Sequence, residues 1–199
     1  MACDTCGPER LGDRHAIEQV LRSYARAVDR ADWELLRAAY HPDATDDHGG
    51  YRGGVDGFID YVVDRHRDLE HSAHHLTNVS IEFAGDDIAL VESYCHAFQR
   101  FGPGPQRVLA FGEEDPIVPP GAAGARVEAV LRYVDRFERR DGAWRIAART
   151  VVSGDLRIEA LEEPLRFGAE RVVQRHDTGD HWYRELARLR APRATTGAD

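Results

Sequence analysis

Apolar residues recur every three or four positions through the first third of the chain. Ile17, Leu21, Tyr24 and Val28 share one helical face, with Val20 and Ala27 beside them, and predict a helix from Asp13 to Asp29. Asp13 is its expected N-cap. "DWELLRAAY" predicts a second helix, with Asp32 as cap, Glu34 at the positive end, and Trp33, Leu36 and Tyr40 on one face. Pro42 is its expected stop. "HPDATDDHGGYRG" is turn-rich, with room for a short strand pair. Phe58, Ile59, Val62 and His66 stripe a third helix over Val55–Asp68.

At "HHLTNVSIEF" the period changes to two. A strand, a tight turn at Ala84–Asp87 and a second long strand follow. Residues 102–122 are rich in proline and glycine and predict a long inserted loop. "ARVEAVLRYVDRFERRDGAWRIAARTVVSGDLRI" reads as another long hairpin, turning at Arg140–Gly142. Helices first and long antiparallel strands after predict an α+β fold. Its sheet should twist strongly into a cone around the N-terminal helices, with an open end able to hold a small ligand. The expected organisation is a disordered tail over 1–12, one domain over 13–158, and a partly helical extension over 159–199 that frays after Ala191.

Composition narrows the function. The 199 residues are 42% hydrophobic and 31% charged, an ordinary globular balance with enough length for a core. No apolar run approaches the ~18 residues of a membrane helix. The N-terminus lacks the apolar segment of a secretory signal, so a cytoplasmic protein is expected. A formal charge of −9 argues against a nucleic-acid partner. All 26 basic residues are arginine, which excludes lysine Schiff-base chemistry and a P-loop lysine. Cys3 and Cys6 form a C-x-x-C with no strand before it, so neither a redox nor a metal function is expected of them; Cys95 stands alone.

Two features point to chemistry. Asp29 ends the first helix, where the negative end of the dipole opposes a carboxylate by ~0.3–1 kcal/mol, so a compensating partner is expected. His74 and His75 must point to opposite faces of their strand. Strict alternation groups His75 with Thr77, Val79, Ile81 and Phe83, and His74 with Leu76, Asn78 and Ser80. Alternation does not say which face lines a cavity. No zinc-binding spacing surrounds His71, His74 and His75. Tyr24 lies on the inner face of the first helix, and its hydroxyl needs a partner there. Trp33, Tyr40, Tyr51, Tyr133 and Arg149 are further candidates to bind a substrate. Tyr133 and Asp135 share a strand face. G-x-S-x-G elbows, dinucleotide-binding turns and P-loops are absent from the sequence.

The stretches "AIEQVLRSYARAVDRADWELLRAAYHPDA", "HHLTNVSIEF", "ALVESYCHAF", "YVDRFERRDGAWRIAARTVV" and "RHDTGDHWY" together resemble the nuclear transport factor 2-like superfamily, and within it the SnoaL-like branch. The resemblance covers about Asp13–Val152 plus the last motif. It implies a cystatin-like α+β barrel, a cone of three helices and a curved mixed sheet. It also implies a homo-oligomer, dimer or trimer, built through the sheet's outer face. The family includes scytalone dehydratase, hexachlorocyclohexane dehydrochlorinase, bile-acid dehydratases, polyketide cyclases and members that only bind ligands.

In its dehydratases an aspartate ending helix one orients a histidine that takes a proton from carbon. By the resemblance these residues are Asp29 and His74, not His75; alternation with Val79, Ile81 and Phe83 keeps His75 as the alternative base. Tyr24 matches a polar pocket position; Arg149 falls near another. An imidazole with an ordinary pKa of about 6.5 suits this role, and a carboxylate on its other nitrogen fixes the tautomer. Placing His74 in the cavity requires that Val79, Ile81 and Phe83 pack outward, or that a bulge between His75 and Thr77 breaks the alternation. The resemblance implies a cofactor-free, metal-free lyase or isomerase acting on a small hydrophobic cyclic molecule. A non-catalytic ligand-binding or assembly domain, or the small subunit of a ring-hydroxylating oxygenase, is the alternative. The long 102–122 loop and the C-terminal extension depart from the family's simplest form.

Overall fold

The structure is a computed structural model that describes residues 7–103 and 121–191. The C-x-x-C, residues 104–120 of the expected loop and the tail after Ala191 lie outside the described residues. A 3₁₀ turn, Pro8–Arg10, leads into α1 (Leu11–Asp29), α2 (Trp33–Ala38), β1 (Tyr40–Asp47), β2 (Arg52–Gly54) and α3 (Val55–Arg65). Then come β3 (Leu69–Phe83), β4 (Ile88–Phe101), β5 (Gly124–Arg140), β6 (Ala143–Leu161) and α4 (His181–Arg190). Six strands form one curved sheet in the order β2-β1-β6-β5-β4-β3. The sheet is mixed: β1 and β6 run parallel and the other pairs antiparallel. It is not closed, because β2 and β3 are edges.

The predicted stripe of α1 is its buried face: Ile17, Leu21, Tyr24 and Val28 pack into one core with Phe58, Ile59 and Val62 of α3 and Val91, Tyr133 and Ile146 of the sheet. Burying side chains of this size stabilises the fold by ~1.5–3 kcal/mol each. Two helix ends differ from expectation. Asp13 lies inside the first turn of α1 rather than at its cap. Its carboxylate accepts hydrogen bonds from Arg10, Arg139 and Trp144 at 3.2, 3.0 and 2.8 Å, tying α1 to the β5–β6 hairpin. Asp32 caps α2 as expected, accepting from the Leu35 N–H at 3.1 Å. That helix ends at Ala38, and Pro42 sits inside β1, where the register against β6 shifts between Tyr40 and Thr45. A residue without an N–H fits where the ladder is interrupted. α3 stops at Arg65, and His66 is its buried C-cap.

The largest departure from pattern lies in β3. Its partners on β4 shift by one residue between Thr77 and Ser80, and Asn78 takes a positive φ of 45°. This bulge reverses the alternation. Leu76, two residues from His74, packs against the core before it, and Ile81 and Phe83 do so after it, while Val79 is exposed. His75 is exposed on the outer face, its ring 5.4 Å from that of Phe98. The grouping of His75 with Ile81 and Phe83 by strict alternation is therefore corrected. The irregularity lies one step beyond the His75–Thr77 stretch where it was anticipated.

Candidate active site

α1 packs on β3, and this contact brings the end of the helix to the start of the strand. Asp29 Oδ1 accepts from His74 Nδ1–H at 2.6 Å and from the Ser72 hydroxyl at 2.8 Å. Asp29 Oδ2 accepts the His74 backbone N–H at 3.0 Å. Burial pushes the Asp29 carboxyl up, but the His74 charge and the hydrogen bonds from His74 and Ser72 outweigh it. The group ends below the ordinary carboxylate range. These donors are the compensation that an acid at the negative end of a helix requires. They also fix the ring: with Nδ1–H given to Asp29, the lone pair on His74 is at Nε2.

His74 lines a cavity of about 250 Å³. Its apolar wall includes Val28, Val62, Ala97, Ala129, Leu131 and Leu156, and Tyr24, Tyr133, His48, His66 and Gln99 add polar atoms. Arg65, Ser153 and Asp155 also line it, and a small chamber that combines an apolar wall with converging polar groups has the character of a small-molecule site. Gln99 Nε2 lies 3.5 Å from His66 Nε2. Burial, with the nearby charges of Arg65 and His176, holds His66 well below the usual histidine range, so it is neutral at pH 7. Burial pushes the Cys95 thiol up to about 11, which leaves it no thiolate nucleophile at neutral pH.

Behind the cavity wall lies a fully buried ion pair. Arg149 donates to both oxygens of Asp135, each at 2.7 Å, from facing positions on β6 and β5. Its guanidinium carbon sits 4.0 Å from the Tyr24 ring centroid and 4.1 Å from that of Tyr133. Arg149 thus holds the two tyrosines that line the chamber while lying outside its wall itself. The other expected binding residues lie elsewhere. Tyr40 is buried behind the wall, donating to Asp46 Oδ2 at 2.6 Å. Tyr51 stacks on Tyr61 and donates to the Gly54 carbonyl. Trp33 packs against His66. His75 opens onto a separate outer groove shared with residues of the C-terminal segment.

Several residues of the site escaped sequence reasoning. Ser72 shares the parity of His74 and was legible in principle. His66 was legible on the stripe of α3 but not as a site residue, and His48 and Gln99 carried no signal of a cavity. The C-terminal segment also reaches the pair: His176 Nδ1 donates to the Asp29 carbonyl at 2.9 Å, and Gln174 donates to the Ser72 carbonyl at 2.6 Å. Asp180 caps α4 through the Trp182 N–H and faces Arg30, and Tyr183 donates to Asp32 at 2.7 Å. The "RHDTGDHWY" motif therefore straps the backbone that carries Asp29.

The fold and this site define a class. The SnoaL-like domain family model matches residues 9–150, and the chain belongs to that family, within the nuclear transport factor 2-like superfamily. Among solved structures, a scytalone dehydratase-like protein from Novosphingobium aromaticivorans is 19% identical, with 80% of this chain and 97% of that one covered and a TM-score of 0.58. A hexachlorocyclohexane dehydrochlorinase from Novosphingobium barchaimii is 19% identical, with 79% and 97% covered and a TM-score of 0.61. At this identity the likeness is one of fold. No curated protein matches the sequence significantly. Among the described residues, no helix is long and apolar enough to cross a membrane.

Proposed function

We propose that the protein is a cofactor-free lyase or isomerase acting on a small hydrophobic cyclic substrate. The observation that carries this reading is the 2.6 Å bond between Asp29 and His74 on a ring that lines the cavity. His74 Nε2 accepts a proton from a substrate carbon. The C–H electron pair becomes a new π bond, and the leaving group departs or the proton returns at another carbon. Asp29 holds the ring in the productive tautomer and stabilises the imidazolium. Tyr24 and Tyr133, fixed by Arg149, position the substrate against the base. The dehydratase and dehydrochlorinase among the structural neighbours are in keeping with this class of reaction.

The test is solvent deuterium exchange into C–H bonds of a panel of cyclic ketones and alcohols, followed by NMR. The wild-type protein should exchange or convert a member of the panel, and His74→Ala and Asp29→Ala should not, with circular dichroism unchanged. Full activity in either variant overturns the mechanism. Binding in the cavity with every carbon-bound proton retained would instead identify a binding protein.

A further inference from the structure

A second aspartate–histidine pair faces the same cavity. His48 and Asp46 stand two residues apart at the end of β1, and their side chains meet: His48 Nδ1 lies 3.0 Å from Asp46 Oδ1. The Asp46 side chain is fully buried, and its other oxygen is taken by the Tyr40 hydroxyl at 2.6 Å. A buried carboxylate accepts hydrogen bonds, so Nδ1 of His48 is the donor. The ring is braced by Phe58, 4.9 Å away between centroids, and by Tyr133 at 6.4 Å. Its Nε2 has no partner among the described residues, and the side chain lines the cavity that His74 also lines. This is the design of the Asp29–His74 pair repeated at the end of β1: a buried acid on Nδ1 of a ring that lines the cavity.

Building on the reading of His74 as the base, we propose that His48 is the proton donor of the same site and acts on a substrate oxygen. The two histidines then divide the work. His74 Nε2 takes the proton from carbon, and the C–H pair forms the C=C bond. The neighbouring C–O bond breaks with its electrons on oxygen. Protonated His48 gives its Nε2 proton to that oxygen, which leaves as water. His74 ends protonated and His48 neutral, and exchange with solvent restores both. Asp46 orients the His48 ring for the transfer, as Asp29 orients that of His74.

The arrangement selects a substrate class. A halide leaves as a stable anion and needs no proton, whereas a hydroxyl leaves poorly unless it is protonated. An acid on the same cavity as the base therefore fits a leaving hydroxyl better than a leaving halide.

The experiment uses full-length protein with ¹⁵N-labelled histidine and p-nitrophenol as the probe. Long-range ¹H–¹⁵N spectra should show His48 protonated at Nδ1, with assignments from His48→Gln and His74→Gln. Adding p-nitrophenol should move the Nε2 signals of both His48 and His74. His48→Gln should weaken p-nitrophenol binding about tenfold, the worth of one charge-assisted hydrogen bond. If the probe moves His74 and leaves His48 unmoved, or if His48 Nδ1 carries no proton, the inference falls and the Asp29–His74 reading stands. If His74 does not respond, both fall.

Discussion

Replacing Asp29 by asparagine tests the site at its most constrained point. The carboxylate accepts three hydrogen bonds: two at Oδ1, from Ser72 and His74 Nδ1, and one at Oδ2 from the His74 backbone N–H. An asparagine has one acceptor and one NH₂ group in the same space. The backbone N–H can only donate, so the amide oxygen must stay at the Oδ2 position. The NH₂ group then faces Ser72, whose hydroxyl can turn to accept, and His74 Nδ1, which must become an acceptor. That moves the imidazole proton to Nε2, and the ring facing the cavity loses its basic lone pair. In serine-protease triads the equivalent change lowers turnover by ~10⁴, or about 5.4 kcal/mol of transition-state stabilisation. The expected loss here is on the order of 10³–10⁴ in kcat. Stability should fall by only ~1–2 kcal/mol, because the His74 backbone N–H and both NH₂ protons have acceptors and only the Ser72 O–H loses the one it had. Asp29→Ala, which strands two or more buried donors, should cost ~3 kcal/mol or more. The assays are C–H exchange kinetics, urea unfolding and ¹⁵N spectra of His74. An Asp29→Asn protein with wild-type turnover, or one whose His74 keeps its proton on Nδ1, would refute the reasoning.

Three further outcomes follow from the same structure. Arg149→Met should destabilise the fold by ~3–5 kcal/mol by leaving Asp135 buried and unpaired, and Asp135→Leu added to it should recover most of the loss in urea unfolding. Burial holds His66 and His176 below the ordinary histidine range, so between about pH 7 and pH 5 the unfolded chain binds protons that the folded chain refuses. Stability must therefore fall with pH across that window, and His66→Phe should flatten the slope of Tm against pH; an unchanged slope would contradict the assigned neutrality. Asn78→Val should cost ~1–2 kcal/mol because its φ of 45° is hostile to a β-branched residue, Asn78→Gly should be nearly neutral, and denaturant titration separates the two.

Much of the fold was legible because its signals are local. The face of α1, the Asp32 cap and the turns at Ala84–Asp87 and Arg140–Gly142 depend on neighbours within a few residues, where sterics and amphipathic burial act directly. The Asp29–His74 pair was not legible this way. Its members are 45 residues apart, and alternation alone grouped His74 away from Ile81 and Phe83. Only the resemblance nominated it. Asp46, near the end of β1, and His48, just past it, are two apart and could have been paired by parity, but parity does not say that their face meets a cavity. Arg149 was expected near the pocket and supports it from behind.

The sequence by itself determined the order of helices and strands, the α+β class and the apolar stripes that build the core, because these follow from backbone periodicity and burial. Tertiary structure alone decided which histidine turns inward. One extra residue at the Asn78 bulge shifts the β3–β4 register and exchanges the faces of the strand, and that shift is set by pairing with β4. It also decided that two carboxylates, one closing a helix and one inside a strand, each hold a histidine against one cavity. Packing of α1 on β3, and of β1 beside β6, brings together groups whose chemistry the chain carries far apart.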